Sequence, residues 1–190
     1  MTCLPCEFYL GDTPRVARNL LGMRLVHEIN GQRIAGRIVE TEAYDGEADL
    51  ACHARSGKTN RNAVMYGPPG RAYIYFTYGM HWCLNAVTGA EGDPAAVLLR
   101  AIQPLEGLEV IARNRDGVDE RHWTDGPAKL CRALEITGVL YGAVLCSPDS
   151  PLRIETDTPV EDEDVIISPR VGIQYAPEPW LSKPWRYRVK

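Results

Sequence analysis

Between Leu50 and Ala90 the sequence has no aspartate or glutamate, although the chain carries 25 of them. An even spread would place roughly five acids in a stretch of that length. Long apolar runs are missing too. None approaches the roughly 20 residues that a bilayer-spanning helix needs, so no membrane partner is expected. The opening residues MTCLPCEFYL lack both the basic start and the long apolar centre of a secretory signal, and a cytoplasmic location is expected. No second CxxC or nearby CxxH accompanies Cys3-Leu4-Pro5-Cys6, so a tetrahedral zinc site is not completed there. A redox CxxC normally follows a strand and opens a helix. With no export signal, the six cysteines read as reduced thiols rather than a disulfide framework. His27, His53, His81 and His122 stand far apart with no HExxH or HxE…PCxxC pattern, so no metal is expected. A phosphate-binding P-loop and a nucleophile elbow are likewise absent.

What is present changes the first impression of charge. The net charge of -4, taken alone, argues against nucleic acid, whose phosphates attract basic faces. Yet the acid-free stretch holds Arg55, Lys58, Arg61 and Arg71, interleaved with His53, His81, Tyr66, Tyr73, Tyr75 and Tyr78. Cations neutralise phosphates and aromatic rings stack on bases, so this stretch has the composition of a nucleic-acid contact surface. The acids lie mostly elsewhere, including EDED at 161–164, which reads as a solvated loop.

The 190 residues contain no repeat or low-complexity linker and are read as one domain, 1–190. GDTPRVARNLLG predicts a helix capped by Asp12 or Thr13, with Pro14 in its first turn and Gly22 as its stop. RLVHEINGQRIAGRIVETEAY predicts two strands joined by a tight turn at Asn30-Gly31. A long polar loop follows, DGEADLACHARSGKTNRNAVMYGPPG, of a length that is uncommon without a function. RAYIYFTYGMHWCLNAV predicts a second hairpin whose tip presents Tyr78, Met80 and His81. AAVLLRAI reads as a buried strand interrupted by a charge, Arg100. TDGPAKLCRALEIT reads as a second helix, capped by Asp125 or Gly126, and PLRIET, VIIS and RVGI as short strands of a mixed α+β chain.

Two constellations bear on chemistry. On a regular strand Ile38, Glu40, Glu42 and Tyr44 share one face, with the two carboxylates about 7 Å apart. Paired acids at such spacing suit cleavage of a glycosidic bond, although strand-end glutamates are ordinarily solvated and the spacing alone assigns nothing. At the hairpin tip, Tyr78 could either cover a neighbouring loop or wedge between base steps and fill the gap left by an extruded nucleotide. Its place inside the acid-free stretch favours the wedge.

GRIVETEAY, RNAVMYGPPGRAYIYFTYGMHWCLNAV, VLLRAIQPLEG, GPAKLCRALEI, and RVGI followed by KPWRYRV occur in the order found in the 3-methyladenine (alkyladenine) DNA glycosylase family. The resemblance runs from VARNLLG to the C-terminus. It implies an α+β fold, a single mixed domain with a curved antiparallel sheet, flanking helices and a protruding hairpin. It further implies a base-excision repair enzyme that hydrolyses the N-glycosidic bond of alkylated or deaminated purines, such as 3-methyladenine, hypoxanthine or ethenoadenine. By motif, Glu42 resembles the general base that activates water, and Arg100 the residue that helps hold Glu42 and that water. The backbone carbonyl of Val171 resembles a further contact to the water. Tyr44, Tyr75 and His53 resemble the walls that sandwich the flipped base, and Asn85 the residue that crowds out the guanine amino group. Tyr78 matches the intercalating wedge. The implied partner is double-stranded DNA containing damaged purines, met by a nucleoid-associated monomer without cofactor. No lysine in the matched motifs stands where a Schiff-base nucleophile would, so strand cleavage is not expected. TGAEGDPAA is longer than the family pattern, adding acids near the presumed DNA face, and His81 replaces a more familiar tyrosine. A non-catalytic damaged-DNA or RNA-binding module on the same fold is the alternative.

Overall fold

The structure, a computed structural model, describes residues 2–190. One antiparallel sheet organises it. β1 (Arg24–Ile29) and β2 (Gln32–Asp45) form the first hairpin, and β3 (Ala72–Thr77) and β4 (His81–Thr88) the second. β5 (Ala95–Glu106) joins the two hairpins, giving the order β3-β4-β5-β2-β1 with β6 (Leu152–Glu155) outside β1. β2 is the spine. Its first half pairs with β1, while Glu40–Glu42 pair with β8 (Arg186–Val189), which carries β7 (Val165–Ser168) on its far side. Three short helices, α1 (Thr13–Asn19), α2 (Leu108–Asn114) and α3 (Pro127–Ala133), complete the mixed α+β fold with the protruding hairpin that the motifs implied. Among the described residues no helix is long and apolar enough to cross a membrane.

Local sequence explains most of these elements. Asn30 and Gly31 take φ of 51° and 74°, the positive values that a two-residue hairpin turn requires. Asp12 caps α1 by accepting the Arg15 N–H at 3.2 Å, with Pro14 in the first turn. Gly22 ends that segment at φ 86° and donates its N–H to the Ile38 carbonyl at 2.9 Å. A Cβ there would overlap the Thr158 carbonyl oxygen. Gly22→Ala is therefore expected to cost at least about 1–2 kcal/mol from the left-handed backbone alone, read as a lowered thermal midpoint. An unchanged midpoint would show that this turn relaxes freely.

Strand parity gives the sheet two unlike faces. Ala72 and Ile74 of β3, Leu84 and Ala86 of β4, and Val97 and Leu99 of β5 enter the main core with Val16, Leu20 and Leu130. The alternate residues Tyr73, Val87 and Ala96 join Cys52, Ala54 and Met65 in a second cluster on the other face. Tyr44 and Tyr75 pack against that cluster.

Three expectations need correction. First, β2 is not regular to its end. Its register with β5 shifts on either side of Glu40, skipping Val39 on β2 and then Arg100 on β5. A bulge reverses parity, so Ile38 joins the main core with Ala43, and does not share a face with Glu42 and Tyr44. Second, RVGI is not a strand. Its Val171 N–H goes to a side chain rather than a neighbouring strand, and Gly172 has φ 78°. Third, Cys6 and Cys146 form a disulfide across 140 residues, with Cα atoms 5.1 Å apart. Their neighbours explain the meeting: Leu4 donates to the Ile154 carbonyl and Ile154 to that of Leu145, contacts that no spacing in the sequence announces. The acidic turn with Glu91 and Asp93 joins β4 to β5 at the end of β4 remote from the β3–β4 tip, where Gly92 N–H donates to the Tyr66 carbonyl at 3.1 Å. The eight residues of β4, at about 3.4 Å each, hold those acids away from Tyr78. Neither α2 nor β8 followed from periodicity, both being short and rich in charged residues. EDED forms an exposed 3-10 turn at Asp162–Asp164, where Asp162 pairs with Arg18 at 2.6 Å.

Candidate active site

The two bulges meet at the carboxylates. Arg100, skipped in the ladder, turns its guanidinium between Glu40 and Glu42. Nε donates to Glu40 Oε1 at 2.7 Å and Nη1 to Glu42 Oε2 at 3.3 Å. Arg186 on β8 donates to the same Glu40 oxygen at 2.7 Å. Glu40 thus holds two arginines, a placement that strand periodicity did not reveal.

Glu42 is fully buried and still accepts three donors. Val171 N–H reaches Oε1 at 2.7 Å, and the Tyr44 hydroxyl reaches Oε2 at 2.9 Å, beside Arg100. Burial pushes its pKa above the usual glutamate range, opposed by the Arg100 charge and the Val171 and Tyr44 hydrogen bonds. A carboxyl so placed is poised closer to neutrality than a solvated one, and is held in one orientation by its donors.

Beside this cluster opens a cavity of about 330 Å³, the lower range of small-molecule sites. Tyr44, His53, Tyr75, Asn85, Arg100 and Val171 all line it. His53 comes from the long loop and meets Tyr75 edge-on, with ring centroids 4.6 Å apart. Its Nδ1 shares a 2.8 Å hydrogen bond with the Tyr73 hydroxyl. Burial, then Arg61 and Arg55, lower the His53 pKa to about 4, so the ring is neutral at pH 7 and offers one donor and one acceptor. Asn85 Nδ2 donates to the Tyr73 carbonyl at 3.0 Å, which fixes the orientation of its amide.

Tyr78 stands at the cavity mouth on the hairpin tip, with 86% of its surface exposed. It does not cover a neighbouring loop. Its φ of 52°, followed by 67° at Gly79, forms a tight turn closed by Met80 N–H to the Thr77 carbonyl at 3.2 Å. A bulky residue at positive φ is uncommon and costs free energy.

Seven of the eight residues singled out by motif thus line one cavity and its mouth, and the eighth, the fully buried Glu42, is hydrogen-bonded to three of them, Tyr44, Arg100 and Val171. The sequence reading set Tyr73 in the contact stretch but not in the pocket, although its parity with Tyr75 placed both on one face. Asp49 and Arg170 were missed without any signal, since their buried ion pair joins positions far apart in the chain.

Similarity to known proteins extends over nearly the whole chain. The model of the methylpurine-DNA glycosylase (MPG) family matches residues 7–190. The chain belongs to that family. Its relatives include proteins named "Putative 3-methyladenine DNA glycosylase". The protein of Carboxydothermus hydrogenoformans is 47% identical over 187 residues, covering 98% of this chain and 95% of the relative. That of Methanocella arvoryzae is 48% identical over 191 residues, covering 100% and 94%. That of Myxococcus xanthus is 48% identical over 190 residues, covering 100% and 91%. Family membership puts the chain among the DNA glycosylases of DNA repair, hydrolases that act on DNA.

Proposed function

We propose that residues 1–190 act as one domain that hydrolyses the N-glycosidic bond of alkylated or deaminated purines, 3-methyladenine, hypoxanthine and ethenoadenine among them. The observation that carries this reading is Glu42, a buried carboxylate held by three donors beside an aromatic-walled cavity. Double-stranded DNA containing the lesion is the partner, bound by a monomer associated with the nucleoid.

The duplex is opened by Tyr78, and the damaged nucleotide turns out into the cavity. Flipping costs a few kcal/mol, least at a damaged or mismatched pair. Stacking between Tyr44 and the Tyr75–His53 wall returns about 1–3 kcal/mol. Neutral His53 offers its remaining nitrogen to the purine edge, while the fixed Asn85 amide crowds a guanine 2-amino group. A water oriented by Arg100 and the Val171 carbonyl then attacks C1′. Its oxygen bonds to C1′ as the C1′–N bond breaks, the departing base keeps that electron pair, and Glu42 takes the water proton. The carboxylate also stabilises the cationic sugar in the transition state.

The Tyr78 wedge makes a separate prediction. Tyr78→Asn replaces a strained aromatic with a residue at ease in the left-handed region, so stability is unchanged or raised. Base release at subsaturating enzyme falls roughly ten- to a hundredfold, the value of one lost stacking contact. Equal release by both proteins would remove Tyr78 from the mechanism.

No lysine lines the cavity among the described residues, which supports a water nucleophile and a monofunctional reaction. Borohydride added during turnover tests this. The expected result is no covalent protein–DNA adduct and an abasic strand that breaks only with alkali, whereas a trapped adduct would mean an amine nucleophile.

A further inference from the structure

Arg170 and Asp49 form a two-pronged ion pair with both side chains fully buried. Such a pair is weak evidence for stability, because apolar residues of similar shape often serve as well. What the pair touches is more informative. Arg170 Nη1 donates to the carbonyl of Ala43, the residue between Glu42 and Tyr44, at 2.9 Å, and Nη2 donates to the Trp180 carbonyl at 3.2 Å. Its guanidinium lies 4.7 Å from the Tyr44 ring centroid and 5.1 Å from that of Trp185. The next peptide unit carries the Val171 N–H that binds Glu42. Asp49, for its part, accepts the N–H of Asp45 at 3.2 Å and of Ala51 at 3.0 Å, tying the end of β2 to the loop that carries His53.

We propose that Asp49 and Arg170 are a positioning pair for base release, which locks together the end of β2, the His53 loop and the Val171 turn. Neither touches the reacting atoms. Arg170 acts through Val171, whose N–H it aims at Glu42, and through Tyr44, whose ring it backs. A planar fork with several donors is required to reach Asp49 and two carbonyls at once, and a lysine cannot reproduce it. Loosening the pair moves a donor away from Glu42. Its carboxylate then protonates at higher pH in surroundings otherwise set by Arg100, Glu40 and Tyr44.

The proposal rests on the glycosylase reading, and the test separates the two. Single-turnover base release from duplexes carrying hypoxanthine or 3-methyladenine is measured against pH for the wild type, Glu42→Gln, Arg170→Lys and the near-isosteric Asp49→Asn, each with its thermal midpoint. Both pair variants are expected to lose roughly ten- to a hundredfold in rate at neutral pH. The acid limb of the charge-conserving Arg170→Lys is expected to move to higher pH, whereas Asp49→Asn also removes an anion and is therefore read by its rate per active molecule. A merely structural pair would lower the midpoint and the active fraction but leave the limb where the wild type has it, and that result would overturn the proposal. Should Arg170→Lys not fold, Asp49→Asn decides by its rate per active molecule, and a wild-type rate there would overturn the proposal. Absence of release by the wild type would sink the glycosylase reading and this proposal together, whereas wild-type release with an unmoved limb sinks the pair alone.

Discussion

Glu42→Gln is expected to abolish base release while leaving binding of the damaged duplex intact. Glutamine keeps the size of the side chain and an acceptor oxygen for the Val171 N–H, but can neither take a proton from water nor oppose a cationic sugar. General-base assistance is worth about 10²–10⁴ in rate, and loss of the facing charge adds to it, so single-turnover release should fall at least about a thousandfold. The wild-type pH profile follows from the same residue. The base must be ionised, and burial raises its pKa, so activity falls with decreasing pH along a limb that lies above the ordinary glutamate value. Stability has the opposite sign. A carboxyl whose folded pKa is raised stabilises the fold below its unfolded pKa, and that contribution is lost as pH rises through the folded value. Glu42→Gln should flatten this part of the thermal midpoint's pH dependence. A variant retaining more than a tenth of wild-type activity would show that another group activates the water.

Arg100→Met is expected to damage both activity and stability. Among the described residues the arginine is the one cation that touches both Glu40 and Glu42. Its removal leaves Glu42 with only neutral donors, from Val171 and Tyr44, against a nearby Glu40. Breaking a buried ion pair at one partner typically costs about 3–5 kcal/mol. Arg186 remains on Glu40, so the lower end is expected, seen as a fall in thermal midpoint. Release at neutral pH should drop roughly a hundred- to a thousandfold, the range for loss of one preorganised electrostatic contact, with the acid limb displaced to higher pH. Normal kinetics in a merely destabilised protein would confine Arg100 to a structural role.

These contacts also explain which parts of the molecule were legible in its sequence. Local chemistry announced the Asn30-Gly31 turn, the Asp12 cap and both hairpins, because each is decided within a few residues. The alternation in β3 and β4 announced two faces. Parity failed at Val39 and Arg100, where paired bulges reverse the pattern, and the failure falls beside the carboxylates. The Cys6–Cys146 bond, the Arg170–Asp49 pair and the two arginines on Glu40 join distant segments and leave no local trace. Roles for Glu42, Tyr44 and Asn85 came from ordered motifs, since spacing alone could not choose between Glu40 and Glu42. The geometry gives a physical basis for that choice: Glu42 has three donors of different kinds, each from a residue that lines the cavity, while Glu40 is occupied by two guanidinium groups.

The most direct measurement is single-turnover release of free base from duplexes carrying hypoxanthine or 3-methyladenine, in chelator, with binding followed in parallel. The account predicts chelator-insensitive release of the damaged base, an intact abasic strand, and no release from undamaged purines. Tight binding of the damaged duplex with no base released would contradict it, and would make the chain a damage-binding module.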